Sequence, residues 1–233
     1  MSNQQNMHKK IILALDVPNL ACAESLADEL KNNIGVLKIG FELFISSGRD
    51  AIRLGEKNGL DVFLDLKIHD IPETVERSVR QAMDLGVKFI TVHVQQKETM
   101  ERIARLTENS NTNLLVVTVL TSMTDQDIRW LGGNSRVNDQ VEFLASQAYG
   151  CGIRGFVCSP IEVSRLRTVC PGSCLVVPGI RPYGSSLGDQ KRTGTPGKAM
   201  KDGASYIVVG RPIRDADDRV AAARAITEEM TGS

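Results

Sequence analysis

Short runs of Val, Ile and Leu recur along the chain, each followed by a stretch with helical spacing of its apolar residues. The first pattern suits strands buried on both faces and the second suits helices that cover them. Their alternation predicts βαβ units around a parallel sheet. Eight strands are predicted: Ile11–Asp16, Val36–Gly40, Val62–Lys67, Lys88–Val94, Leu114–Leu120, Gly155–Cys158, Cys174–Val177 and Ser205–Val209. Stretches such as Ala21–Asn32, Pro72–Leu85 and Val141–Tyr149 are long enough for the crossover helices that parallel strands require. Eight such units without an inserted second set of strands close into a single (β/α)8 TIM barrel of the α/β class, because closure leaves no sheet edge exposed. An open doubly wound sheet is the alternative. Against it, G-x-G-x-x-G is missing after the first strand, where the chain runs Asp16-Val17-Pro18-Asn19. One catalytic domain is expected over residues 1–233, with residues 1–9 a flexible polar N-terminus.

Composition narrows the functional classes. Hydrophobic residues at 42% and charged residues at 24% fit a globular chain rather than a disordered one. Lys+Arg and Asp+Glu stand at 28 each, so there is no basic field for nucleic acid or an anionic membrane, and an anionic ligand needs a local site. The apolar run Ile11–Leu15 stops at Asp16, too short for an export signal or a membrane span, so a cytoplasmic protein is expected. Cys22, Cys151, Cys158, Cys170 and Cys174 are odd in number and contain no C-x-x-C pair, which reads as reduced packing residues. His8, His69 and His93 lack metal-ligand spacing. Chemistry without a metal or cofactor is the expectation.

In a barrel the active site lies at the C-terminal ends of the strands, so charges closing an apolar strand are the candidates for chemistry. Asp16 ends the first strand, Lys38 lies in the second, and the third ends in Asp65-Leu66-Lys67. Strand side chains alternate, so Asp65 and Lys67 share a face with Phe63, and Leu64 and Leu66 face the helices. A structural salt bridge is the plain alternative. Buried ion pairs contribute little net stability after desolvation, so several at one mouth favour function.

The segment Asp65-Leu66-Lys67-Ile68-His69-Asp70-Ile71-Pro72-Glu73-Thr74 resembles the D-x-K-x-x-D-I-P-x-T motif of the orotidine 5'-monophosphate decarboxylase family. The D-x-K-x-x-D core is shared with 3-keto-L-gulonate-6-phosphate decarboxylase and hexulose-6-phosphate synthase; the Ile-Pro-x-Thr continuation narrows it. Pro178-Gly179-Ile180-Arg181-Pro182, Asp189-Gln190-Lys191-Arg192, Thr195-Pro196 and Val209-Gly210-Arg211-Pro212-Ile213 resemble the same family, as do Ala14-Leu15-Asp16 and Lys38-Ile39-Gly40. These matches span Asp16 to Arg211.

The resemblance implies a cofactor-independent lyase of pyrimidine biosynthesis that converts orotidine 5'-phosphate to UMP. Decarboxylation leaves a carbanion at C6 of the pyrimidine. The family role of Lys67 is to stabilise it electrostatically and then protonate it. Asp65 and Asp70 flank Lys67, and opposite charges favour the protonated lysine. Lys38 contacts ribose while orienting Asp65, and Asp16 accepts from a ribose hydroxyl. Thr121 and Pro178 meet the pyrimidine, while Arg181, Gln190 and Arg211, with Gly210 beside it, hold the phosphate. The resemblance also implies a homodimer in which Asp70, Ile71 and Thr74 complete the partner's site.

Several neighbouring residues carry plainer readings. His69 has no second histidine or cysteine partner and reads as packing or hydrogen bonding. Thr124 reads as a helix cap, and Thr195-Pro196 as an N-cap followed by proline at N1. The loop from Gly179 to Gly197 holds five glycines and suits either a closing lid or a merely flexible connection. Two other functions stay open. One is a sugar-phosphate decarboxylase or synthase of the same suprafamily, commonly needing Mg²⁺. The other is a non-catalytic barrel that binds a phosphorylated ligand.

Overall fold

A computed structural model describes residues 6–183 and 192–232. Its strands are β1 (Ile11–Ala14), β2 (Val36–Ile39), β3 (Asp61–Ile68), β4 (Phe89–His93), β5 (Asn113–Val117), β6 (Gly155–Val157), β7 (Cys174–Val177) and β8 (Tyr206–Val209). Each pairs in parallel with the next, and β8 returns to β1, closing the barrel. The expected (β/α)8 architecture is present.

The helices are α1 (Leu20–Leu30), α2 (Phe41–Ser47), α3 (Arg49–Asn58), α4 (Pro72–Asp84), α5 (Lys97–Thr107), α6 (Asp125–Trp130), α7 (Val137–Gly150), α8 (Val163–Val169), α9 (Pro196–Asp202), α10 (Arg211–Arg214) and α11 (Arg219–Thr231). A 3-10 turn, Met7–Lys10, packs beside α11 where the sequence reading has a loose tail. Thr124 caps α6 in a capping box with Asp127, and the Thr195 side chain accepts from Lys198 N at the start of α9.

Strand ends are where the sequence reading and the structure differ most. Strand β1 stops two residues before Asp16 and β5 three before Leu120. Beyond those points the ladder thins to single bonds such as Leu15 N to Lys38 O (3.0 Å), and the chain turns out of the sheet. Helix α7 starts four residues ahead of Val141, because Val137 is buried and its N–H is anchored on Asp125 Oδ1 at 2.8 Å.

Period 2 sorts the strand side chains into two apolar layers. Ile12, Val36, Phe63, Phe89, Leu115, Val176 and Val208 fill the barrel interior. Their neighbours, including Leu13, Leu37, Leu64, Ile90 and Leu175, join the larger layer beneath the helices. Leu66 packs there too, as its parity predicts.

Candidate active site

The interior series changes character toward the C-terminal ends of the first four strands. Ile12 pairs with Val36, and Phe63 with both Lys38 and Phe89, so these strands share one register frame. Two residues past each apolar floor residue, the inward positions become Ala14, Lys38, Asp65 and Thr91, and Asp16 follows Ala14. The polar residues meet. Lys38 Nζ lies 2.9 Å from Asp16 Oδ1 and 3.6 Å from Asp65 Oδ2, while Lys67 Nζ lies 2.8 Å from Asp65 Oδ1. Thr91 Oγ1 donates to Asp65 Oδ1 at 2.9 Å. Carboxylates and ammoniums therefore alternate in a continuous chain. Gly40 leaves room for it, because a Cβ there would stand 3.2 Å from Lys38 Nζ.

Lys67 reaches this network through an irregularity. The β3–β4 register shifts between Leu64 and Ile68, and Lys67 has φ +44°, the one positive value at a described non-glycine residue. Its N–H donates to Thr91 Oγ1 at 2.9 Å, so one buried hydroxyl anchors both the Lys67 backbone and the Asp65 carboxylate. Thr91 is a positioning residue that the sequence reading missed. The available signal was its place in Phe89-Ile90-Thr91-Val92-His93, a polar side chain at an inward parity.

Asp65 is 9% exposed, and burial alone would raise its pKa. The Lys38 and Lys67 ammoniums, with hydrogen bonds from Lys67 and Thr91, outweigh burial and hold the carboxyl below the ordinary range. Its folded value thus lies below the unfolded one of about 3.9. The stability from its ionisation is present above that pH and is lost as pH falls through the folded value. The stability gap between wild type and Asp65→Asn should accordingly shrink as denaturant titrations move from pH 7 to below 3.9; a gap constant with pH would contradict this.

Thr121 and Pro178 join Lys38, Asp65 and Lys67 around a cavity of about 130 Å³ floored by Phe63 and Val208. Gly210 precedes α10, and the exposed Arg211 opens it. Arg181 is partly exposed and donates to Ile180 O at 2.8 Å. Gln190 lies outside the described residues. The neck of that loop is fixed by a bridge between Ile180 and Gly194, with Arg181 N donating to Gly194 O at 2.9 Å.

Asp70, Ile71 and Thr74 stand apart from this cavity. All three are exposed, Ile71 at 62%. Asp70 Oδ1 accepts from Ile71 N at 2.7 Å, and its carboxylate makes no ion pair with Lys67 of its own chain. The His69 ring lies tilted by 41° beside that of His93, centroids 6.0 Å apart. Burial, and then the charges of His69 and Lys67, push the His93 pKa down, which favours neutral imidazole beside Lys67. Among the described residues no group of three or more His, Cys, Asp or Glu could hold a metal ion, and no helix is long and apolar enough to cross a membrane.

The chain matches known proteins over nearly its whole length. Residues 9–226 match the Orotidine 5'-phosphate decarboxylase / HUMPS family. The chain is 45% identical over 225 residues to an orotidine 5'-phosphate decarboxylase of Rhodopseudomonas palustris, covering 96% of this chain and 94% of that protein. It is 45% identical over 219 residues to the enzyme of the same name from an Anaeromyxobacter species, covering 94% and 96%. The crystal structure of orotidine 5'-phosphate decarboxylase from Lactobacillus acidophilus superposes with a TM-score of 0.80 at 35% identity, covering 94% of this chain and 97% of that one. With family match, relatives and fold in agreement, the chain belongs to the orotidine 5'-phosphate decarboxylase / HUMPS family.

Proposed function

We propose that the protein decarboxylates orotidine 5'-phosphate to uridine 5'-phosphate in pyrimidine biosynthesis, as a single-barrel carboxy-lyase, homodimeric and cytoplasmic, that uses no cofactor. The observation that carries the reading is the chain Asp16–Lys38–Asp65–Lys67 bordering a small cavity that Thr121 and Pro178 complete. The five free cysteines suit a reducing compartment.

Breaking the bond between C6 and the carboxylate releases CO₂ and leaves the electron pair on C6. The Lys67 ammonium stabilises that charge and then delivers a proton to C6, after which solvent restores the lysine. Ionised Asp65 directs the Lys67 side chain, and Thr91 fixes both. Asp65 also repels the substrate carboxylate, a contribution secondary to Lys67. Lys38 and Asp16 serve ribose, and Thr121 and Pro178 serve the pyrimidine. Arg181, Gln190, Gly210 and Arg211 hold the phosphate, whose binding energy is expressed as catalysis at the ring.

Adding orotidine 5'-phosphate to chelator-treated protein should abolish the orotate absorbance and yield one CO₂ per nucleotide. Turnover that returns only with Mg²⁺, or none on this substrate, would overturn the reading. Arg211→Ala should weaken nucleotide affinity about 10- to 100-fold, the range for one charge-assisted hydrogen bond. A nucleoside substrate lacking phosphate should be indifferent to the change. Equal losses on the two substrates would point away from a phosphate contact.

A further inference from the structure

Among the described residues, the most heavily buried ion pair near the site but outside the cavity joins Arg192 to Glu162, with side chains 10% and 4% exposed. The Glu162 carboxylate is fully engaged: one oxygen takes Arg192 Nη1 and the other accepts from Ser159 N at 2.7 Å. The rest of the guanidinium turns to the end of β5. Nη2 donates to Leu120 O at 2.8 Å, and Nε donates to Thr121 O at 3.2 Å. Neither carbonyl belongs to the strand ladder: Leu120 O also accepts a turn bond from Met123 N at 2.9 Å, and Arg192 ties that turn and the next carbonyl to Glu162.

A trans peptide is planar, and its C=O and N–H point in opposite directions. Holding Leu120 C=O on Arg192 therefore aims Thr121 N–H away from Arg192. Holding Thr121 C=O sets the following peptide plane in the same way. Leu120 and Thr121 both line the cavity that holds Lys67. A buried ion pair is weak evidence of a stabilising role, since apolar residues of similar volume often do as well. A planar five-donor fork that locks two consecutive carbonyls is a different requirement, and only arginine supplies it.

We propose that Arg192 is a positioning residue for pyrimidine recognition, fastened by Glu162 so that its guanidinium fixes the two peptide planes on either side of Thr121. This rests on the reading of Thr121 as a pyrimidine contact. The ligand feature concerned is the polar edge of the ring, which the Thr121 amide and hydroxyl would read. Phosphate is assigned to Arg181, Gln190, Gly210 and Arg211, whereas the Arg192 guanidinium is taken up by Glu162 and the two carbonyls, so its loss should leave phosphate affinity intact.

The test compares Arg192→Met with the double variant Arg192→Met/Glu162→Gln, which leaves no lone buried charge and keeps an acceptor for Ser159 N. The single variant should lose both thermal midpoint and kcat/KM. In the double variant the midpoint should recover, while kcat/KM on orotidine 5'-phosphate stays down about 10- to 100-fold, the cost of a misplaced contact. Inhibition by ribose 5-phosphate, which has no ring, should match wild type in both. Recovery of kcat/KM along with the midpoint would reduce the pair to a structural one and overturn the proposal. Weakened ribose 5-phosphate inhibition would overturn it in favour of a phosphate contact. Should the double variant not fold, Arg192→Lys decides: it keeps the charge opposite Glu162 but lacks the fork, so unchanged kcat/KM there would also overturn the proposal. Wild type inactive on orotidine 5'-phosphate would sink the functional reading itself, whereas active wild type with unaffected variants would sink this inference alone.

Discussion

Lys67→Ala should lose at least about four orders of magnitude in turnover, because the variant lacks both charge stabilisation, worth about 10²–10³, and proton donation, worth about 10²–10⁴. Uridine 5'-phosphate should still bind within about tenfold of wild type, since that ammonium matters most as charge develops at C6. Single-turnover kinetics with excess enzyme would give the chemical step, and a titration with the product nucleotide would give the affinity. Turnover near wild type would refute the mechanism. An equal collapse of affinity would assign Lys67 to ground-state binding instead.

Subunit mixing should restore activity from two inactive proteins. Asp70 is exposed and makes no ion pair with its own Lys67, and the proposal assigns it to the neighbouring subunit's site. Asp70→Asn and Lys67→Ala are each expected to be nearly inactive alone. After dissociation and random reassociation in equal amounts, half of the dimers are mixed. In each of these, one site receives intact Lys67 and intact Asp70 from different chains. Activity should therefore recover to about a quarter of wild type under two-fold pairing. If Asp70 served its own chain, every site would keep one lesion and nothing would recover.

How much of this was legible in the sequence depended on distance along the chain. Asp65 and Lys67 announced themselves because a strand alternates its side chains and two charges closing an apolar run have few uses. That argument found the right face, although the bulge at Lys67 means that regular alternation does not extend through it. Strand ends were less legible, since they depend on where a neighbour's carbonyls stop, as at Val117 and Ala14. Thr91 was hidden because a lone threonine suits a buried strand without any further role. The Arg192–Glu162 pair lay beyond reach, its partners 30 positions apart and brought together by the pairing of β6 with β7. For Asp70, local pattern could not decide between its own site and a partner's.

The backbone at Lys67 bears on what happens when the protein is selected for hardiness. A side chain held at positive φ is disfavoured relative to glycine by about 1 kcal/mol or more. Between two variants that both lack the ammonium, Lys67→Gly should therefore melt higher than Lys67→Ala. A library screened only for survival of heating would enrich glycine over alanine at this position, and every such survivor would be catalytically dead. Thermal tolerance and turnover would be at odds at this residue, so a screen of this barrel has to read product as well as solubility.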